Sequence, residues 1–416
     1  MPGRASPRKW IRSRTSSKAP ASRSYDAGVT NRGPYMRITS IEPIAVSLPM
    51  KKPVIMAGEE VRRADNMLVR IETDTGLVGW GEAASAPVMT GDTLESLVAA
   101  VHHLRPALIG RDAADIEGAH VAMDGRMYGN HGAKAALDIA LFDLAGKSAG
   151  KPVHALLGDK QRGRMPLLGV VGGGDYDGDL KDAAKKKAEG FVAYKIKVGI
   201  DTPENDAART RAICAALGPG MLISADANQG FSTEEALAYV RAVEGCGLDF
   251  FEQPVAADDL AAMARIAAAT SIAIGADEGI HSRDDIRRHA ERQAARGVSL
   301  KAIKLGGVRA LADAGRLCGD LGMQVNISCK TGESSIACAA ALHVATVIPN
   351  IGWGLTLTHI GLAADVTAQP LVTGQGHAGS LDRPGLGVDV DESCVRRHRV
   401  AIAARELVTP AGAAAY

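Results

Sequence analysis

Short apolar runs recur through the second half of this chain, and each closes on charged side chains. They are AYKIKVG at 193–199, ISADANQG at 223–230, FFEQP at 250–254, IAIGADE at 272–278 and LKAIKLGG at 300–307. From Lys195 the steps are 31 residues to Asp226, 26 to Glu252, 25 to Asp277 and 24 to Lys301. An interval of that size suits one strand, one helix and two short loops. MPLLGVVGG at 165–173 adds a strand before the series, and QVNISC at 324–329 and IGWGLTL at 351–357 add two after it. Helical stretches such as 233–244 and 258–268 fill the gaps. Eight such units in about 200 residues predict an α/β fold of the (β/α)8 TIM-barrel type. The eighth helix is weak in the sequence, so closure as (β/α)7β is the expected variant.

Before residue 160 the pattern is different. Residues 36–49 alternate as a strand, and 66–83 read as a hairpin turning at Asp74, Thr75 and Gly76. Residues 51–65 mix Met56, Ala57 and Gly58 with Glu59, Glu60, Arg62 and Arg63, which predicts a mobile loop. Helical periodicity follows at 92–108, 113–127 and 132–149, stopped by Gly150, Lys151 and Pro152. The expected organisation is therefore a basic, disordered leader at 1–35, an α+β capping domain at 36–160 and a barrel carrying the site at 161–379. A C-terminal segment, 380–416, is expected to return to the capping domain.

Composition narrows the function. With 416 residues and 46% hydrophobic content, burying a large core is no difficulty. A net charge of +1 gives no argument for nucleic acid or an anionic membrane as partner. The six cysteines have no paired spacing, which reads as reduced thiols in a cytoplasmic setting. No apolar run approaches the roughly 20 residues that span a bilayer. The leader carries Arg4, Arg8, Lys9, Arg12, Arg14, Lys18, Arg23 and Arg32 against Asp26 alone, without the apolar stretch of a secretory signal. Folding is expected to begin at Met36, itself a candidate start.

The run ends carry the chemistry. Lys195 and Lys197 lie two apart on one strand and share a face. Two ammonium groups side by side repel, which lowers lysine pKa toward that of a usable base. Asp226, Glu252 and Asp277 close three successive strands roughly 5 Å apart, near enough to converge on one cation. An oxygen-only set selects a hard ion, Mg²⁺ first and Mn²⁺ next. Each Asp alone also suits a helix N-cap, but three in succession do not. Lys301, across the barrel mouth from Lys197, addresses the opposite face of a carbon held between them. Lys304 reads as structural or solvent-facing. Asn228 shares the face of Asp226 and can join it by a hydrogen bond; Glu278 follows Asp277 and points the other way if the strand continues, or orients a lysine from the turn. Glu333 is a helix cap or a site residue, and Trp353 and His359 either line the pocket or pack.

Together these segments resemble the enolase superfamily, in the muconate lactonizing enzyme branch. The resemblance runs from Met36 to about Asp391 and adds ESSI and PGLGVDVD to YKIKVG, DAN, FEQP, ADE and KAIKLGG. It implies Asp226, Glu252 and Asp277 as metal ligands, with Lys197 as acid/base at an α-carbon, Lys195 beside it and Lys301 opposite. This superfamily uses a Lys or His base with Mg²⁺ to stabilise an enediolate. QVNISC lacks the histidine of the mandelate racemase branch, and WGLTLTH lacks the Asp-x-Asp that dipeptide epimerases carry on strand 8. The expected activity is a cycloisomerase or a racemase/epimerase acting on a small-molecule carboxylate. The alternative is a lyase on the same scaffold, a dehydratase of acid sugars or hydroxy-amino acids. The resemblance also implies a homo-oligomer.

Overall fold

The structure is a computed structural model describing residues 35–56, 59–173 and 175–402. The expected basic leader, apart from Tyr35, lies outside the described residues, as does the end of the C-terminal segment.

Three antiparallel strands open the fold: β1 (Ile38–Met56), β2 (Glu59–Thr73) and β3 (Val78–Ala84). The turn at 74–76 falls where the hairpin was expected. The loop expected at 51–65 is instead the continuation of β1 and β2 as a two-stranded ribbon, with Val54 opposite Val61 beyond a register shift after Pro49. Lys51, Lys52, Pro53, Arg62 and Arg63 on it are exposed, so no hydrophobic alternation marks the ribbon in the sequence.

Helices Leu94–Leu108, Ile116–Arg126 and His131–Ala149 cover this sheet. The last is apolar almost all round and buried from Gly132 to Leu144, because it is wedged between β3 and the barrel. Its two acidic residues are spent as acceptors. Asp138 Oδ2 takes the Val308 N–H at 2.6 Å, and Asp143 takes the N–H groups of Trp80 and Leu386.

A short strand, β4 (Arg164–Pro166), pairs with a C-terminal strand rather than with the barrel. The barrel strands are β5 (Leu168–Val171), β6 (Ala193–Lys197), β7 (Leu222–Asp226), β8 (Phe250–Glu252), β9 (Ala273–Ala276), β10 (Gly297–Leu300), β11 (Gln324–Ser328) and β12 (Leu355–Thr356). They form one parallel sheet in sequential order. A bridge from Leu167 to Leu355 joins its ends, closing a TIM barrel. The sixth barrel strand was expected to run through 307; it ends at Leu300, and Ala302–Leu305 is a short helix closed by Gly306. Near the end of the described chain, Arg399 bridges to Val46 and the Val400 N–H donates to the Ala45 carbonyl oxygen, so the tail lies on β1. Among the described residues no helix is long and apolar enough to cross a membrane.

Candidate active site

Register brings the run ends together. Lys197 lies opposite Asp226, Asp226 opposite Glu252, and Glu252 opposite Gly275, two residues before Asp277. The three carboxylates therefore stand side by side at the carboxyl ends of neighbouring strands, all buried. Lysines are their partners. Lys195 Nζ is 2.7 Å from Glu252 Oε2 and 3.5 Å from Asp226 Oδ2, and Lys197 Nζ is 2.7 Å from Asp226 Oδ2. Lys301 donates to both oxygens of Asp277. The order around the arc is Lys197, Asp226, Glu252, Asp277, Lys301, with Lys195 between the first two acids. Among the described residues no three acidic, His or Cys side chains close on a common point as a metal cage.

The electrostatics follow. Burial pushes Asp226 up, but Lys197 and Lys195 leave it below the ordinary carboxylate value. Burial likewise opposes ionisation of Asp277, and Lys301 and Lys304 overcome it. Glu252 stays raised, chiefly by burial. The expectation that Lys195 and Lys197 depress each other fails at Lys195. Burial lowers it, but Glu252, Asp226 and Asp277 outweigh burial and neighbour repulsion, holding it above the ordinary lysine value. The pair is also unequal in exposure: the Lys197 side chain is 31% exposed and Lys195 5%. Lys197 alone of the two reaches the opening.

Asn228 links the arc to a fourth acid. Its Oδ1 accepts from Lys197 Nζ at 2.5 Å and its Nδ2 donates to Glu278 Oε1 at 3.0 Å. Burial, then Asp277, pushes Glu278 up to about 7. Of the two orientations open to it, Glu278 takes the one from the turn, toward the site. Lys304 is not solvent-facing: it is fully buried, with Asp277 Oδ1 at 2.6 Å and the Ser299 carbonyl oxygen at 3.1 Å. Burial holds its ammonium below the ordinary value although Asp277 is also held low. Three oxygen acceptors around Nζ make the charged pair the state we assign.

Glu333 is buried after β11, takes the Lys330 N–H at 2.9 Å, and is pushed up to about 8 by burial and by Glu82; the helix cap itself is Ser334. Trp353 is elsewhere. Its ring stacks on Phe250 at 4.0 Å and packs on Gly275 and Gly297, at the amino-terminal end of the barrel. His359 packs, with Nε2 3.0 Å from the Leu371 carbonyl oxygen. A surface cavity of about 730 Å³, lined by Arg292, Arg296 and Trp353, lies at that same far end and holds none of the carboxylates.

Two residues of the site carried no chemical signal of their own. Gln253, fully buried at φ 35°, accepts the Asp277 and Gly279 N–H groups on Oε1 at 2.9 and 3.2 Å. Arg209 donates to the Lys197 carbonyl oxygen at 2.7 Å while paired to Asp179 and Asp206. The first sits inside FEQP, a motif whose glutamate drew the attention; the second is one more arginine on a helix.

The donor set suits a hard divalent ion. All three neighbouring carboxylates are buried, and Glu252 Oε1 has no hydrogen-bond partner. A buried carboxylate oxygen left unpaired calls for a cation.

Residues 39–158 match the family profile described as "Mandelate racemase / muconate lactonizing enzyme, N-terminal domain", and 179–394 match "Enolase C-terminal domain-like". The chain is 35% identical over 318 residues to the N-succinyl-L-Arg/Lys racemase of Bacillus cereus, covering 74% of this chain and 84% of that protein. It is 32% identical over 365 residues to the L-Ala-D/L-Glu epimerase of Bacillus subtilis, covering 85% and 97%. The crystal structure of muconate lactonizing enzyme from Pseudomonas fluorescens complexed with muconolactone superposes with a TM-score of 0.84 at 30% identity, over 88% of this chain and 100% of that one.

Proposed function

Because the chain belongs to the mandelate racemase / muconate lactonizing enzyme family, we propose that it is a divalent-metal-dependent isomerase moving a proton at the carbon α to a carboxylate. The observation that carries this is the arc itself: three buried carboxylates between two lysines, with Lys197 open to the barrel mouth. Asp226, Glu252 and Asp277 are assigned as the ligands, with Mg²⁺ the first choice and Mn²⁺ the second for an oxygen-only set. The bound ion supplies positive charge where the substrate carboxylate gains electron density as the α-proton leaves.

The chain's own residues do the rest. Lys197 Nζ takes or returns the proton on one face of the α-carbon, and Lys301 stands at the opposite end of the arc for the other face. Asn228 Oδ1 fixes the direction of the Lys197 ammonium, and Arg209 fixes the backbone that carries it. Lys195 and Lys304 stay charged against Glu252 and Asp277, orienting the carboxylates without reaching substrate. The enediolate that results is shared by racemisation, epimerisation and cycloisomerisation. The relatives span all three, racemase, epimerase and muconate lactonizing enzyme.

The test is incubation with MgCl₂ in D₂O and a panel of muconates, N-acyl amino acids and hydroxy acids, read by mass spectrometry. One deuterium at the α-carbon of a compound of unchanged skeleton supports the isomerase; a product lighter by water makes the protein a lyase. No exchange with any compound, in metal-loaded protein, overturns the reading.

A further inference from the structure

Lys330 follows β11 and is 9% exposed, yet its ammonium makes no hydrogen bond or ion pair with a described residue. Its backbone is held tightly. The N–H donates to Glu333 Oε2, and the carbonyl oxygen accepts from Thr358 Oγ1 at 2.7 Å. The β11–β12 ladder continues to Cys329, whose N–H donates to the Thr356 carbonyl oxygen. Asn326 faces the barrel interior, where Ser299 Oγ and the Gly354 carbonyl oxygen meet its amide. Leu300 lies opposite Ile327 and the ladder reaches Cys329, so Lys330 leaves the strand at the barrel rim, past the level of Lys301.

The capping ribbon sits directly over this loop. The Asn66 amide donates to the Gly332 carbonyl oxygen at 2.8 Å, and a Cβ on Gly332 would lie 2.3 Å from Ala64 Cβ. Lys51 Nζ reaches the Ile360 carbonyl oxygen at 2.8 Å on the barrel side. Lys330 is thus enclosed between the barrel mouth and the ribbon. The acids that act on it are Glu333 and Asp65. Burial pushes Glu333 up to about 8 and its Oε2 is taken by the Lys330 backbone N–H, while Asp65 Oδ1 takes the Ser47 hydroxyl at 2.6 Å. An ammonium to which no acid is hydrogen-bonded, held between the barrel mouth and the ribbon, is free to pair with an anionic ligand.

We propose that Lys330 is the specificity-determining residue that binds a second carboxylate on the substrate, distal to the one held at the metal arc. This rests on the reading of that arc as the α-carboxylate site. The substrates selected are dianions, and a neutral tail in the same position leaves Lys330 unpaired.

The experiment pairs malonyl-, succinyl- and glutarylglycine with their neutral N-acyl isosteres and measures binding by calorimetry in MgCl₂, in wild type, Lys330→Met and Lys330→Arg. Wild type should bind one dianion about tenfold or more tighter than its neutral partner. Lys330→Met should lose that preference with a melting midpoint unchanged or higher, since no ion pair is broken, and Lys330→Arg should keep part of it. A wild type that prefers no dianion, or a Lys330→Met protein that keeps the preference, overturns the proposal. Deuterium exchange separates the two claims. Intact dianion preference without exchange sinks the isomerase reading alone, and exchange with equal kcat/KM for both partners sinks Lys330 alone.

Discussion

Lys304 Nζ lies 2.6 Å from Asp277 Oδ1 with the whole lysine side chain sealed from solvent. Lys301 holds the same carboxylate from three residues earlier, so one short turn, 301–304, brackets Asp277 with two cations.

Lys304→Met should therefore cost about 3–5 kcal/mol of stability, the usual consequence of deleting one partner of a buried pair. Urea denaturation reads this directly. A midpoint equal to wild type would show that Lys301 alone neutralises Asp277.

Lys197→Ala and Lys301→Ala should each lower α-proton exchange by about 10²–10⁴-fold, the range of positioned acid–base catalysis. With an enantiomeric pair of substrates the two losses should be unequal: each variant is blocked at the face its lysine serves and less affected at the other. Equal, full exchange rates in both variants would remove lysine from the proton transfer.

Gln253→Ala strips the acceptor from the buried Asp277 N–H and the half-buried Gly279 N–H. The cost should be about 2 kcal/mol in stability. Titration with Mg²⁺ should show weakened affinity, because Asp277 loses its backbone anchor. Gln253→Glu keeps an acceptor and should recover stability more than Ala does. Unchanged metal affinity in Gln253→Ala would limit the residue to a structural role.

His343 supplies the pH dependence. Its Nδ1 accepts the His154 N–H at 3.2 Å while Nε2 faces the Leu386 carbonyl oxygen at 3.1 Å, an arrangement only the neutral ring with its proton on Nε2 satisfies. Burial pushes the ring down to about 4 from 6.5. A base with a depressed folded-state value contributes stability that is whole above pH 6.5 and is lost as pH falls toward about 4. About 3 kcal/mol should disappear across that window, and His343→Gln should flatten it in denaturation curves taken at several pH values.

The barrel and the arc were legible because they repeat. Strand ends spaced 24 to 31 residues apart put Lys195, Asp226, Glu252, Asp277 and Lys301 at one rim before any contact was known. What escaped is what depends on a partner from another strand. Of the two readings open to Lys304 the structural one holds, but the partners that decide it, Asp277 and Ser299, could not be named. Glu278 depended on where the strand stops: β9 ends at Ala276, and from the turn its carboxylate meets Asn228. The ribbon at 51–65 carries exposed Lys51, Lys52, Pro53, Arg62 and Arg63, so its pairing left no hydrophobic period to read. Trp353 sits just before a two-residue strand, too short to reveal which end of the barrel the ring enters.

That ring has a kinetic consequence. Trp353 lies flat on Phe250, 4° from parallel, and Gly297 gives way to it so closely that a Cβ there would sit 2.5 Å from the indole. Stacked rings fill the foot of the barrel, as side chains fill such barrels, and leave the chemistry to the opposite rim. Substrate and product of an isomerase would then occupy the same rim in turn, so product inhibition should be competitive with substrate.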